Sequence, residues 1–299
     1  MNWNSYTRGF RSYLQLEQHL AKPSIEAYLH DIHLLLNFLE IQKWERKPQE
    51  VSRAEVQQFL VYLLELGMAA TSQARILSGI KAFYTYLVLE QIVSVSPVEI
   101  IESPKLKRKL PDVLSVEEID KIIGSIDLST SEGRRNKAIL ETLYACGLRV
   151  SELINLQISS LHFEEGFVSV IGKGNKQRLV PIGQLAIKAI NTYLTNDRNL
   201  LNLKKGSEDI VFLNRRGGKL SRVMIFTIVK QLVEQNGIHK NISPHSFRHS
   251  FATHLIEGGA DLRAVQDMLG HASITTTEIY THLDRRFLRD TVDKYFPRK

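Results

Sequence analysis

The residues best suited to chemistry fall in one stretch, Ser243-Pro-His-Ser-Phe-Arg-His-Ser-Phe-Ala-Thr-His-Leu255. Ser243 followed by Pro244 reads as an N-cap and first helical position, so a helix is expected to start there. His245, Arg248 and His249 then stand at i, i+3 and i+4 and share one face. Phe247, Phe251 and Leu255 fall mostly on the other side, where they can be buried. A guanidinium fork beside imidazoles near a helix N-terminus is suited to holding a phosphate. A solvated polar face with a core histidine is the alternative for this stretch taken alone.

Four further pieces carry reactive side chains in chain order: Gly147-Leu-Arg149-Val-Ser-Glu152, Gly172-Lys173-Gly-Asn-Lys176, Leu269-Gly-His271 and Tyr280. Singly, each has an ordinary reading. Arg149 could be a surface ion pair, Lys173 and Lys176 hairpin charges, and Tyr280 a core tyrosine. His245, His249 and His254 suggest a metal, but no cysteine or acidic cluster at ligand spacing joins them, so neither metal nor cofactor is expected. His254 reads as packing. Cys146, the one cysteine, precedes a Gly turn among apolar residues and reads as core rather than nucleophile.

Two bodies are expected to position these groups. Residues 1–103 read as an all-helical bundle. One amphipathic helix runs from Trp3 to Leu20, a second opens at Pro23, a third is capped by Ser52 and ends at Gly67, and a fourth starts at Thr71 or Ser72. Phe83, Tyr84 and Tyr86 are placed in its core. Residues 104–111 read as a basic linker, with Lys105, Lys107, Arg108 and Lys109 between prolines, either solvated or lying along phosphates. Residues 112–299 read as a mixed α/β domain. In it Ser115 and Glu118 form a capping box, and a helix spans Arg134–Ala145. Phe167–Ile171 and Gln177–Ile182 pair around a hairpin turn, and Asp209–Leu213 adds a further strand. Helices return at Arg222–Asn236, at Ser243, at Asp261–Leu269 and after Ser273. The fold class is thus mainly α with a small antiparallel sheet.

Net charge is +7 with a pI near 9.3, which suits a polyanionic partner. The excess is uneven: residues 1–103 hold 9 Lys+Arg against 11 Asp+Glu, and the remainder holds 30 against 21. A nucleic-acid contact by the first body would therefore need its bases clustered on one face. Apolar runs are short and the N-terminal residues lack a signal-peptide core, so a cytoplasmic protein without a membrane span is expected.

Taken in order, the five pieces resemble the catalytic set of the tyrosine recombinases, the integrase family, with the closest resemblance to the bacterial XerC/XerD recombinases that resolve chromosome dimers. The resemblance covers nearly the whole chain, including the Ser24-Ile-Glu-Ala-Tyr28 region and the proline-flanked linker. It implies a helical core-binding (SAM-like) domain and a catalytic domain that clamp duplex DNA. It implies Arg149, Lys173, His245, Arg248 and His271 around a phosphate, with Tyr280 as the nucleophile that forms a 3′-phosphotyrosyl link. The residue types suit that chemistry. Planar guanidinium forks grip non-bridging oxygens whose charge rises in the transition state. A phenol with an ordinary pKa of about 10 needs a base or a cationic field, and His245 is placed to act as that base. His271 can hydrogen-bond a phosphate oxygen, Lys173 resembles the family's general acid, and Glu152 orients the basic groups.

The implied partners are double-stranded DNA with two half-sites, a homo- or heterotetramer with a paired recombinase, and a DNA translocase as activator. A mobile-element integrase of the same chemistry, a catalytically silent DNA-binding regulator and a type IB topoisomerase are the competing readings. Finally, Phe287, Leu288, Val292, Tyr295 and Phe296 make an apolar stripe after Tyr280. Such a tail should dock, and the resemblance points to a neighbouring subunit, with its own domain as the alternative.

Overall fold

The computed structural model describes residues 3–104, 112–172, 177–270 and 282–298. The chain divides into two compact units, Met1–Lys109 and Leu110–Lys299.

The first unit is built from α1 (Trp3–Leu16), α2 (Lys22–Ile41), α3 (Arg53–Glu65) and α4 (Ala70–Leu89). Helix α1 stops four residues before the expected Leu20. The backbone turns left-handed at His19, and the amides of Glu17 and Gln18 both donate to the Tyr13 carbonyl. Ser52 caps α3 as its sequence suggests: the Glu55 amide donates to Ser52 Oγ, and the Ser52 amide donates to the Glu55 carboxylate at 2.7 Å. The apolar stripes of the four helices close on one core, in which Phe10, Ile32, Leu35, Phe59, Ile80 and Phe83 are fully buried. Tyr84 and Tyr86 are buried with them, and the Tyr84 hydroxyl donates to the Pro48 carbonyl at 3.0 Å.

The second unit opens with α5 (Val116–Gly124), capped by Ser115 and Glu118, and α6 (Ser131–Cys146). A short helix α7 (Val150–Leu153) follows, then β1 (Leu161–His162), β2 (Phe167–Ile171) and β3 (Gln177–Pro181). The strands form one antiparallel sheet in the order β1-β2-β3, with Phe167 opposite Pro181 and Ile171 opposite Gln177. Helices α8 (Gln184–Asn196), α9 (Arg222–Gln235), α10 (Pro244–Glu257), α11 (Leu262–Leu269) and α12 (His282–Tyr295) complete the unit. Helix α6 runs through its middle, with every residue from Ala138 to Cys146 buried.

One expectation about the sheet is corrected here. Asp209–Leu213 is not a strand of the sheet; it makes only the isolated bridges Gln157–Ile210 and Leu213–Lys219. Side chains take part of its backbone pairing. Arg198 Nε donates to the Ile210 carbonyl at 2.8 Å, and the Leu213 amide donates to the Tyr193 hydroxyl at 3.2 Å. The third strand is instead Leu161–His162. In this single chain the C-terminal tail packs on its own domain, the alternative given above. Leu288, Val292 and Phe296 are buried in the core of the second unit, and the Phe296 ring lies 4.8 Å from that of Tyr144 and 5.3 Å from that of Phe251. Arg298 fastens the end by pairing with Asp120 at 2.7 Å and with the buried Glu141. Phe287 alone of the stripe stays largely exposed.

Candidate active site

Arg149, Glu152 and Arg248 come together at the C-terminal end of α11, joined by a fourth residue, Arg178. Local sequence explains each position. Helix α6 ends at Gly147, whose φ of 54° is left-handed. A Cβ at this position would lie 2.4 Å from the Phe251 ring, so glycine lets the turn sit against α10. That turn places Arg149 as N-cap of α7, with Glu152 in its first turn. The Arg149 amide donates to Glu152 Oε2 at 2.8 Å, and Arg149 Nη1 donates to Oε1 at 2.8 Å. The spacing of three residues is thus what one helical turn needs to fold the carboxylate back onto its own arginine.

Arg248 reaches the same place from α10. It is 8% exposed, and its Nη1 and Nη2 donate to the carbonyls of Gly147 at 2.7 Å and Leu269 at 2.6 Å. Its Nη1 lies 3.9 Å from Glu152 Oε2. Burial first, and repulsion from Arg149 second, bring the Arg248 guanidinium down to about 10, with Glu152 opposing them. It still carries its charge at neutral pH.

The end of α11 receives three guanidiniums on three successive carbonyls. Arg178 Nε donates to Met268 at 2.8 Å, Arg248 to Leu269, and Arg149 Nη2 to Gly270 at 3.1 Å. These are acceptors that a helix C-terminus leaves unpaired, at the negative end of its dipole. Glu152 balances part of the positive charge. Burial alone would raise its carboxyl. Hydrogen bonding and charge from Arg178, with the amide and side chain of Arg149, outweigh that and hold it at about 2.

The remaining expected residues divide into two groups. His245 and His249 are exposed on α10, on either side of Arg248. Lys173, His271, Tyr280 and the linker residues Lys105, Lys107, Arg108 and Lys109 lie outside the described residues. His254 packs as its position suggests: it is buried and shares a 2.8 Å hydrogen bond between Nδ1 and the Tyr144 hydroxyl. Cys146 is fully buried, and burial pushes its thiol up, away from the thiolate a nucleophile needs. Among the described residues no group of three or more His, Cys, Asp or Glu is placed to hold a metal, and no helix is long and apolar enough to cross a membrane. Sequence reasoning missed Arg178. Its signal was the strand alternation, which puts Arg178 on the inward side with Val180 while Gln177 faces out.

Comparison with known proteins identifies the family. The family model "Phage integrase family" matches residues 112–286, and "Phage integrase, N-terminal SAM-like domain" matches residues 8–91. The chain is 44% identical to the tyrosine recombinase XerD of Chlorobaculum tepidum, over 99% of this chain and 97% of that protein. It is also 44% identical to the XerD of Oceanobacillus iheyensis, over 97% of each. Among solved structures, the XerH site-specific recombinase bound to its difH substrate matches with a TM-score of 0.67 and 25% identity, over 87% of this chain and 77% of that one. A lambda integrase dimer bound to a COC′ core site shares the fold at a TM-score of 0.71 and 17% identity, over 93% of this chain and 100% of that one. Two family models spanning most of the sequence, and relatives of this identity along almost its full length, place the chain in the phage integrase family: it is a tyrosine recombinase, an enzyme that breaks and rejoins DNA.

Proposed function

We propose that this recombinase cuts and rejoins duplex DNA through a 3′-phosphotyrosyl intermediate on Tyr280, and that its substrate is chromosomal, as in the resolution of chromosome dimers. The observation that supports this best is the convergence of Arg149 and Arg248 on one buried carboxylate, with their guanidiniums held in fixed orientation by backbone carbonyls. Such groups are preorganised donors, which need no rearrangement when charge develops on a phosphate.

In this reading Arg149 and Arg248 hold the non-bridging oxygens of the scissile phosphate. His245, one turn before Arg248 and open to solvent, takes the proton of the Tyr280 hydroxyl as it attacks phosphorus. His271 hydrogen-bonds a phosphate oxygen, and Lys173 gives a proton to the departing 5′ oxygen. The products are a phosphotyrosyl ester and a free 5′-hydroxyl. The ester conserves the bond energy, so attack by a 5′-hydroxyl from a second duplex rejoins the strand without ATP and passes through a Holliday junction. The working unit is a tetramer on paired half-sites in the cytoplasm, alone or with a partner recombinase, and a DNA translocase is the class of protein that would activate it. Residues 104–111 connect the two DNA-binding bodies of the clamp.

Trapping covalent adducts on fragments of the host genome, in the presence of EDTA, tests the substrate. Adducts are expected at one chromosomal locus and undiminished by the chelator, because side chains supply the charge. Adducts confined to the ends of mobile elements would overturn the chromosomal assignment. Adducts lost in EDTA and restored by Mg²⁺ would overturn the proposed electrostatics.

Salt dependence tests the clamp. With about six to ten phosphate contacts, log affinity should fall against log salt with a slope of roughly −5 to −9. Neutralising Lys105, Lys107, Arg108 and Lys109 should flatten that slope if the linker lies along the backbone. An unchanged slope would make the linker a tether.

A further inference from the structure

Arg178 plays no part in the mechanism above, yet its placement is costly and specific. It lies at the second residue of β3, just after the segment that carries Lys173, and its side chain is only 7% exposed. Nη1 and Nη2 donate as a fork to Oε1 and Oε2 of Glu152 at 2.8 and 2.9 Å, and Nε donates to the Met268 carbonyl. The fit extends to the next turn. Gly270 has a left-handed φ of 64°, and a Cβ there would lie 3.0 to 3.2 Å from Cδ, Nε and Cζ of Arg178. Burying a guanidinium is unfavourable unless it is paired and hydrogen-bonded, and this one is both.

The consequence is electrostatic. Beside Arg149 and Arg248, a buried carboxylate would cancel one of the two charges meant for the phosphate. Three guanidiniums against one carboxylate leave two positive charges in the cluster. A phosphodiester enters with one negative charge and acquires a second in the transition state. Arg178 is too enclosed to touch the DNA, so it acts through Glu152. We propose that Arg178 is a positioning residue that neutralises and fixes Glu152, leaving Arg149 and Arg248 their full charge for the scissile phosphate. This rests on the reading of Arg149 and Arg248 as the phosphate-binding pair.

The test uses the full chain and a DNA site mapped by adduct trapping. It compares a normal phosphodiester with a methylphosphonate, in which a methyl group replaces one non-bridging oxygen and removes the charge. Arg178→Gln should slow single-turnover adduct formation about a hundredfold or more on the phosphodiester, the scale of losing a preorganised donor. On the uncharged DNA its deficit should shrink to under about tenfold relative to the unsubstituted chain. The double variant Arg178→Gln/Glu152→Gln restores two net positive charges and should run at least about tenfold faster than Arg178→Gln on the phosphodiester. No deficit, an equal deficit on both DNAs, or a double variant no faster than the single one would each overturn the proposal, because a purely structural role ignores the charge of the substrate. If Arg178→Gln does not fold, the double variant decides: a rate within about tenfold of the unsubstituted chain supports the proposal, and a greater loss overturns it. If the unsubstituted chain forms no adduct at Tyr280, the catalytic reading itself fails and takes this inference with it.

Discussion

Arg248→Ala is expected to lower the rate of covalent adduct formation by more than about a hundredfold. Preorganised donors at a developing oxyanion are worth roughly this much each, and more where water is excluded. Arg248 meets both conditions, being almost wholly buried and anchored through both terminal nitrogens to the carbonyls of Gly147 and Leu269. The substitution would remove the charge and also leave two carbonyls without their donor, so folding must be checked in parallel by thermal unfolding. Arg248→Lys should rescue poorly, since one ammonium cannot span two carbonyls and a phosphate as the planar fork can. Adduct formation within tenfold of normal in a folded Ala variant would mean that the phosphate is held elsewhere.

Glu152→Gln is expected to cost about 3 to 5 kcal/mol of stability at neutral pH, the usual penalty for removing one partner from a buried ion pair. Its neighbours make the case severe, because Arg149, Arg178 and Arg248 would face one another without the intervening anion. The pH dependence carries the sign. The folded carboxyl sits at about 2, below the ordinary 4.5, so its contribution is fully present above about pH 4.5 and is lost as pH falls toward 2. The gap in urea midpoint between the original chain and the Gln variant should therefore be widest near neutrality and close between these two values. A gap that stays constant from pH 6 to pH 2.5 would show that the Glu152 charge is not what holds the cluster.

Much of this was legible in residue spacing. Ser52 as a cap and Ser115 with Glu118 as a capping box announce helix starts, and both caps form. The pairing of Phe167–Ile171 with Gln177–Pro181 follows from two β-like runs flanking a Gly-Asn turn signal. Arg149 and Glu152 could be joined from sequence because one helical turn separates them. What stayed hidden depends on contacts between distant segments. Nothing local says that Arg178 from a strand would fork onto a carboxylate 26 positions earlier, nor that Arg198 and Tyr193 would take up backbone groups of Asp209–Leu213 and keep it out of the sheet. The tail shows the same limit from the other side. Its stripe correctly marks surface that needs burying, but periodicity carries no information about which surface receives it. Here the receiving surface includes the rings of Tyr144 and Phe251 in the same domain.

The central claim is that Tyr280 attacks the DNA and carries it covalently. It is tested most directly by incubating the original chain and Tyr280→Phe with a nicked half-site duplex that releases a short fragment on cleavage, followed by denaturation and peptide mapping of any protein–DNA adduct. The original chain should accumulate an adduct whose DNA is attached at Tyr280 through a 3′-phosphate, while Tyr280→Phe binds the same duplex with unchanged affinity and yields none. An adduct formed by Tyr280→Phe, or one mapped to another residue of the original chain, would contradict the account.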